Sequence, residues 1–416
     1  MKSLKTFLIW GIVVLVGVAS FTTLAISRGE QVSAVWMVTA AVSVYCIAYR
    51  FYSLYIAKYV MQLDPNRLTP AERHNDGLDY VPTHKGVLFG HHFAAIAGAG
   101  PLVGPVLAAQ MGYLPGTLWI IFGVVFAGAV QDMMVLFVSM RRDGKSLGDI
   151  VKQELGTVPG VIASIGILMI MVIIMAVLAL IVVKALVHSP WGTFTIAATM
   201  PIALFMGIYT RYIRPGKIGE ISIVGFILLM LAVIYGDNVA HSSIGHWFDL
   251  DGIQLTWAIM IYGFVASVLP VWLLLTPRDY LSTFLKIGTI VALAIGILIV
   301  SPALQMPAVT HFIDGSGPVF SGALFPFLFI TIACGAVSGF HALISSGTTP
   351  KMLENETHVR MIGYGGMIME SFVAIMALAA ASSLDPGVYF AMISPAALIG
   401  TDSNTPAHVI THNLPF

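Results

Sequence analysis

Two carboxylic acids inside otherwise apolar segments are the residues of this sequence best suited to chemistry. Asp132 lies midway along one such segment, and Glu370 lies midway along another. If these segments cross a bilayer, a charge at that depth is costly and usually functional, and a carboxyl group there can carry a proton. We predict a proton-relay role for at least one of them and favour Glu370, because Gln131 can hydrogen-bond locally to Asp132. A purely structural carboxyl pair is the alternative.

The histidines and cysteines do not have the spacing of a metal site. His91 and His92 are adjacent, and neighbouring side chains on a helix point roughly 100° apart, so the pair is a poor chelate. We expect His91 to face a substrate cavity. His341 stands alone among small residues, as a core histidine with satisfied hydrogen bonds does, and Cys46 and Cys334 lie in apolar segments. We therefore predict no metal, no cofactor and no disulfide framework.

Glycine and proline are concentrated in residues 90–105, where the dipeptides Gly100-Pro101 and Gly104-Pro105 lie within a single predicted span. Proline removes a backbone donor, and glycine tolerates the conformations that this frees. An unwound backbone at that depth lines a cavity or is buried in protein, so we predict a broken helix here. Gly98, Gly100 and Gly104 should border the substrate site, where the start of a half-helix would favour a carboxylate. A kinked helix with close glycine packing is the alternative.

Two further segments carry candidate binding residues. Ser345, Ser346 and Thr348 follow a glycine-rich stretch, and hydroxyls clustered at a helix end can coordinate a small cation. Close helix packing explains the same small residues equally well. Ser267 lies in a segment bracketed by Gly263 and Pro270, which we predict to be a second discontinuous helix at the substrate site.

The composition places all these residues in a membrane protein. Of 416 residues, 58% are hydrophobic and only 10% are charged, with 20 basic and 20 acidic residues. The mean hydropathy is +0.91. These values exclude a soluble enzyme, a nucleic-acid binder and a disordered chain, and they make the lipid bilayer a partner. Apolar windows of about 20 residues predict an all-α polytopic membrane protein with about eleven spans, near 6–26, 32–52, 89–111, 116–140, 158–187, 191–209, 220–235, 255–275, 280–300, 324–346 and 362–383.

The basic residues alternate from loop to loop and predict the topology. Lys and Arg precede the first span and follow the even-numbered spans, whereas the opposite loops hold mainly Asp and Glu, with Arg28 as the exception. The N-terminus is therefore predicted in the cytoplasm and the C-terminus outside. Lys184 and Lys286, inside spans, are expected to extend to the membrane interfaces. The first span is long enough to be an uncleaved helix rather than a signal peptide.

A repeat of five helices with inverted topology would fit this pattern, because the two predicted discontinuous helices lie five spans apart and run in opposite directions. The predicted divisions are two N-terminal helices (1–57), a cytoplasmic loop (58–88), a first inverted repeat (89–235), an outside loop (236–254), an incomplete second repeat (255–383) and an outside tail (384–416).

Four segments, 73–82, 90–110, 275–286 and 331–351, resemble the signature sequences of the carbon starvation protein A family. The similarity extends to about residue 392. It implies a secondary transporter of the bacterial inner membrane that takes up peptides during carbon starvation. A sister group implies the alternative, a proton-coupled pyruvate symporter. The resemblance also implies the LeuT-like inverted repeat of the amino acid–polyamine–cation superfamily, with Ser345, Ser346 and Thr348 where sodium-coupled relatives place an ion.

One departure from the family and two competing functions remain at this point. Family members continue with further helices, whereas this chain stops at Phe416 after a polar tail, so we expect a truncated or split product whose second repeat lacks a helix. An intramembrane enzyme built on Asp132, His91 or Glu370 would need a nucleophile–base or metal pattern that is not found. A non-transporting sensor is the other competitor. The choices between peptide and pyruvate and between proton and sodium stay open.

Overall fold

The computed structural model describes residues 16, 20 and 32–395, whose regular secondary structure is helical apart from two isolated β-bridges. Nearly all of the predicted first span lies outside these residues, as does the tail beyond residue 395. The main helices are α1 (Ala34–Val60), α2 (Lys85–Ile96), α3 (Gly100–Met111), α4 (Tyr113–Arg141), α5 (Thr157–Leu186), α6 (Pro190–Ile213), α7 (Ile218–Ala240), α8 (Gly252–Val268), α9 (Leu275–Val300), α10 (Leu324–Thr331), α11 (Ala333–Ala336), α12 (Gly339–Ser345), α13 (Arg360–Ser382) and α14 (Pro386–Ile393).

The length and apolar composition of these helices identify a polytopic membrane protein. Within the described residues, seven helices can cross a membrane, namely α1, α4, α5, α6, α7, α9 and α13. The bent pair α2–α3 makes eight if it counts as one span. The short helices Pro70–Arg73 and Leu147–Leu155 lie in the connections between them.

The predicted break in residues 90–105 is confirmed. Helices α2 and α3 are bent by 44° at the break. The chain leaves α2 at Ala97, whose ψ is 64°, and Pro101 lies in the first turn of α3. Proline is tolerated there because the first turn of a helix has no intrahelical acceptor for its backbone nitrogen. Pro105 lies inside α3 without ending it.

A second break divides the predicted span 324–346 into α10, α11 and α12. Val337 is extended, with φ −150° and ψ 97°, and separates α11 from α12. The two broken helices touch each other closely: a methyl group added at Gly104 would overlap the Thr331 carbonyl oxygen. One added at Gly100 would lie 2.6 Å from Cys334 Sγ. Glycine in α3 thus allows the two breaks to meet.

The discontinuity predicted around Gly263 and Pro270 is wrong. Helix α8 runs without interruption through Gly263 and ends at Val268, so Pro270 lies beyond the helix rather than inside it. A single glycine keeps its backbone hydrogen bonds and is tolerated within a helix. The second discontinuous helix is α10–α12, which is seven predicted spans after the first instead of five.

Helix α13 lies at the centre of the described molecule. It is mostly buried and packs against α1, α2, α3, α4 and α11. Helix α5 is the opposite case, because Gly160 is its one buried residue. The polar position Glu370 in α13 is therefore surrounded by protein and lies beside both breaks.

The loops that the charge pattern assigns to the same side lie together. At one end, Arg73 pairs with Asp143 at 2.7 Å. At the other end, the backbone nitrogen of Gln305 donates to Ser382 O at 2.8 Å. Both contacts agree with the predicted grouping of these loops, and the topology, including which end faces the cytoplasm, stays a prediction.

Candidate functional site

A histidine joins the two intramembrane carboxyl groups. His341 Nδ1 lies 2.9 Å from Asp132 Oδ2, and His341 Nε2 lies 2.8 Å from Glu370 Oε2. All three side chains are fully buried. We call Asp132, His341 and Glu370 the carboxylate–histidine triad.

The protons of the triad follow from its geometry. The contact of His341 Nδ1 with Asp132 is a hydrogen bond, which needs one proton between the two groups. The contact of His341 Nε2 with Glu370 Oε2 is an ion pair when the imidazole is protonated, and Glu370 Oε2 has no hydrogen-bond partner among the described residues. A proton that moves between His341 and Glu370 leaves the net charge of the triad unchanged. This arrangement is suited to passing a proton through a dry interior.

Three helices position the triad. Asp132 lies on α4, Glu370 on α13, and His341 on the short α12 that begins just after the second break. Gln131, also on α4, donates its amide Nε2–H to Ser338 O at 2.5 Å. This bond ties α4 to the residue that precedes α12, so the second break brings His341 between the two carboxyl groups.

Cys334 connects the triad to the first break. Its Sγ donates to Glu370 Oε1 at 3.3 Å and packs against Gly100. A cavity of about 630 Å³ lies between the two breaks and α5, and Gly98, Gly100 and Cys334 line it. Glu370 is thus one side chain away from a cavity large enough for a small organic substrate.

Cys334, His341 and Glu370 also offer three possible metal ligands, whose atoms lie within 4.8 Å of one another. In the structure the same atoms hydrogen-bond to each other, with Glu370 accepting from Cys334 and facing His341 Nε2. A metal ion would have to replace these bonds. The expectation that the site holds no metal stays a prediction.

The predicted substrate residues are only partly brought together. Gly98 and Gly100 border the cavity, and a methyl group added at Gly98 would have no atom of another residue within 4 Å. Gly104 instead packs against the Thr331 backbone. His91 is buried, with Nδ1 3.0 Å from Asp279 Oδ2, and Ser267 is exposed on α8, donating to Phe264 O.

The predicted hydroxyl cluster forms at the end of α12. Ser346 Oγ donates to Ala342 O at 2.6 Å, within its own helix. Ser346 and Thr348 line a cavity of about 510 Å³ that adjoins the cavity between the breaks, because Leu147, Phe340 and Leu343 line both. Ser345 is buried one turn after His341, and its hydroxyl has no hydrogen-bond partner among the described residues. Ser345 is therefore the member of the cluster closest to the triad along α12.

Two functional candidates were not anticipated. The expectation that Lys286 extends to the interface is wrong: its Nζ donates to Ala94 O at 2.9 Å and Ala97 O at 2.8 Å. Lys184, in contrast, is exposed near the end of α5, and its extension to the interface stays a prediction. His341 was expected to be a satisfied core histidine; it is buried and bonded, but its partners are the two carboxyl groups. No local sequence signal joins residues from three separate helices.

Comparison with known proteins adds independent information. A family model described as Carbon starvation protein CstA matches residues 33–414. The peptide transporter CstA of Escherichia coli (strain K12) is 68% identical over 394 residues, which are 94% of this chain and 56% of that protein. The pyruvate/proton symporter BtsT of the same strain is 64% identical over 392 residues, 94% of this chain and 55% of that protein.

A more distant relative gives the same result. The peptide transporter CstA of Campylobacter jejuni is 60% identical over 415 residues, covering 99% of this chain and 59% of that protein. The chain thus spans just over half the length of these curated relatives. No solved structure matches the chain.

Proposed function

The chain belongs to the carbon starvation protein CstA family, and from that premise we propose that it is a proton-coupled secondary transporter that takes up small peptides. We place it in the bacterial inner membrane with its N-terminus in the cytoplasm. The observation that carries the proposal is the carboxylate–histidine triad buried next to a cavity at two helix breaks. Transporters bind substrates and coupling ions at such discontinuous helices. An enzymatic role is not proposed, because the relatives are named as transporters.

Within this proposal Glu370 carries the coupling proton. Its carboxyl group faces His341 on one side and the cavity-lining Cys334 on the other. Asp132, at the far side of His341, offers a second position for the same proton. A proton that reaches Glu370 can therefore move to Asp132 through the ring, away from the substrate cavity.

The names of the similar proteins favour peptides over pyruvate, because two of the three described above are named peptide transporters. The cavity of about 630 Å³ lies within the range of roughly 300–1,000 Å³ typical of small-molecule sites and admits either substrate. Pyruvate with a proton remains the second candidate, because a relative that is 64% identical is named as a pyruvate/proton symporter.

The proposed fold is a LeuT-like arrangement with about eleven spans. Two broken helices that touch at their breaks support it, because inverted repeats bring their discontinuous helices together around the site, whereas the spacing of seven predicted spans between them departs from a five-helix repeat. The second discontinuous element in this proposal is α10–α12 rather than α8. The divisions at 89–235 and 255–383 stay predictions.

The test uses the protein expressed from its full reading frame and reconstituted in proteoliposomes. Uptake of a labelled dipeptide, with labelled pyruvate in parallel, is measured under an imposed proton gradient. Glu370→Gln should lose gradient-driven accumulation and keep counterflow exchange, which needs no net proton movement. Glu72→Gln, at an exposed position, is the matched control. Accumulation by Glu370→Gln at the parent rate would remove Glu370 from the coupling role.

A further inference from the structure

The ammonium group of Lys286 binds the end of the first half-helix. Its Nζ donates to Ala94 O at 2.9 Å and to Ala97 O at 2.8 Å. Neither carbonyl accepts a hydrogen bond from the backbone nitrogen four residues later, which is its usual donor in a helix. The nitrogen of Gly98 bonds Ile96 O instead of Ala94 O, and the residue four positions after Ala97 is Pro101, which has no N–H.

Carbonyls at the end of a half-helix attract cations. The end of a helix carries a partial negative charge, and unwound carbonyls at such breaks coordinate small cations in transporters. Among the described residues, no carboxylate lies within ion-pair distance of Lys286, so the carbonyls are the groups that hold its charge. Lys286 also lines a cavity of about 420 Å³ together with Gly98 and Thr289. Space thus adjoins the place where the ammonium binds.

We propose that the break is a monovalent-cation site whose occupant is the tethered ammonium of Lys286, and that removal of this side chain opens the site to free small cations. The proposal deepens the proposed function and rests on it where it assigns the coupling ion of transport to another site. Because the site is already filled, this break takes no sodium, and the coupling ion acts elsewhere. The contacts that define the site do not depend on the transport assignment.

The first test measures thermal unfolding of the full-reading-frame protein in lipid nanodiscs, in sodium chloride or in choline chloride of equal ionic strength. The parent protein should unfold at the same temperature in both salts. Lys286→Ala should unfold at a lower temperature in choline. Sodium should raise that temperature in a saturable way, because the two carbonyls regain a cation.

Propylammonium is a sharper probe, because it has the atoms that Lys286→Ala removes beyond Cβ. It should restore most of the lost unfolding temperature in Lys286→Ala and leave the parent unchanged. Lys184→Ala, at an exposed position on α5, is the control and should respond to neither cation. A parent protein stabilised by sodium over choline as strongly as Lys286→Ala overturns the proposal, as does a Lys286→Ala protein indifferent to both sodium and propylammonium.

If Lys286→Ala is not recovered folded, two other variants decide. Lys286→Arg keeps a cationic donor for the carbonyls and should unfold near the parent temperature. Lys286→Met keeps the apolar stem without the donor and should unfold at a lower temperature. An equal loss in both variants overturns the proposal.

Uptake separates this inference from the proposed function. Parent proteoliposomes should accumulate dipeptide equally when choline replaces sodium and should stop when the proton gradient collapses. A parent that accumulates nothing under any gradient contradicts the proposed function and leaves the unfolding results to decide the cation site. Sodium-dependent uptake by the parent contradicts the proposed proton coupling and, because the coupling ion acts away from this break, leaves the unfolding results to decide the cation site.

Discussion

His341 bridges two buried carboxyl groups, so one substitution tests both hydrogen bonds. In His341→Gln the shorter amide cannot occupy both ring-nitrogen positions, 2.9 Å from Asp132, where the contact is a hydrogen bond, and 2.8 Å from Glu370, where it is an ion pair when the ring is protonated. Removing one partner of a buried charge pair typically costs about 3–5 kcal/mol. We expect the free energy of unfolding to fall by that order and proton-driven accumulation to be lost. Denaturant unfolding in nanodiscs measures the first effect, and proteoliposome uptake measures the second.

The controls for His341 distinguish a shared unit from separate residues. His311→Gln changes an exposed histidine and should leave both measurements near the parent values. The double variant with Glu370→Gln should lose less than the sum of the two single losses, because residues in one network are not additive. If the loss in the double variant equalled the sum of the two single losses, the three residues would not form one network.

A single residue could be identified from the sequence as a functional candidate when its polarity conflicted with the apolar segment around it. Asp132 and Glu370 stand out because a carboxyl group in an apolar segment is costly. His341 and Lys286 did not stand out, since a core histidine and a lysine near a span end both have ordinary explanations. Their roles depend on partners in other helices, which no spacing along the chain records. Ser267 was misplaced because its assignment depended on a break in α8 that is absent.

At the scale of elements, the contact between the two broken helices depends on Gly104. A methyl group there would overlap the Thr331 carbonyl, which is backbone and cannot turn aside. Overpacking of this kind typically costs about 1–3 kcal/mol. Gly104→Ala should therefore lower the unfolding temperature and weaken dipeptide binding, as measured by thermal unfolding with and without dipeptide.

Gly98→Ala is the matched variant in the same broken helix. Apart from its chain neighbours, no described residue has an atom within 4 Å of the added methyl group, so the packing of the two helices should be unchanged. The unfolding temperature of Gly98→Ala should stay near that of the parent. A Gly104→Ala protein as stable as Gly98→Ala would mean that the breaks can separate freely.

The breaks also show which element boundaries a sequence can reveal. Dense glycine and proline in residues 90–105 leave carbonyls without donors, so that break was predictable from backbone chemistry alone. In α8 the same residue types are spread out, and Pro270 falls past the helix end, where it costs nothing. Proline therefore marks a break here at the first turn of a new helix, at Pro101, whereas Pro105 lies inside α3 without ending it.

For the whole molecule, the loop charges predict which loops lie at the same end. At the basic end, ion pairs to the buried Glu356 connect these segments. Glu356 is fully buried and accepts from Arg141 at 2.5 Å, with Arg67 3.4 Å away. Arg67 and Glu356 lie in two different loops and Arg141 is the last residue of α4, and the charge pattern assigns all three to the cytoplasm. The alternation could be derived from sequence because each loop carries its own charges. The packing of α13 at the centre could not, because almost every span is equally apolar.

The orientation of the whole molecule is the remaining prediction. The basic end, with Arg67, Arg73 and Arg141, should face the cytoplasm, because loops rich in Lys and Arg are retained there. The opposite end, where His188 lies 3.0 Å from Asp249, should face outside.

Impermeant thiol labelling of intact cells tests this in a background without Cys46 and Cys334, replaced by Ala and Ser. Gln153→Cys and Ser243→Cys place one exposed thiol at each end. Ser243→Cys should react from outside, whereas Gln153→Cys should react only after the membrane is opened. Serine at position 334 keeps a donor for Glu370, so retained dipeptide uptake verifies that the background is native. The reverse labelling pattern would mean that the predicted orientation is wrong and that the Arg141–Glu356 cluster lies at the outer face.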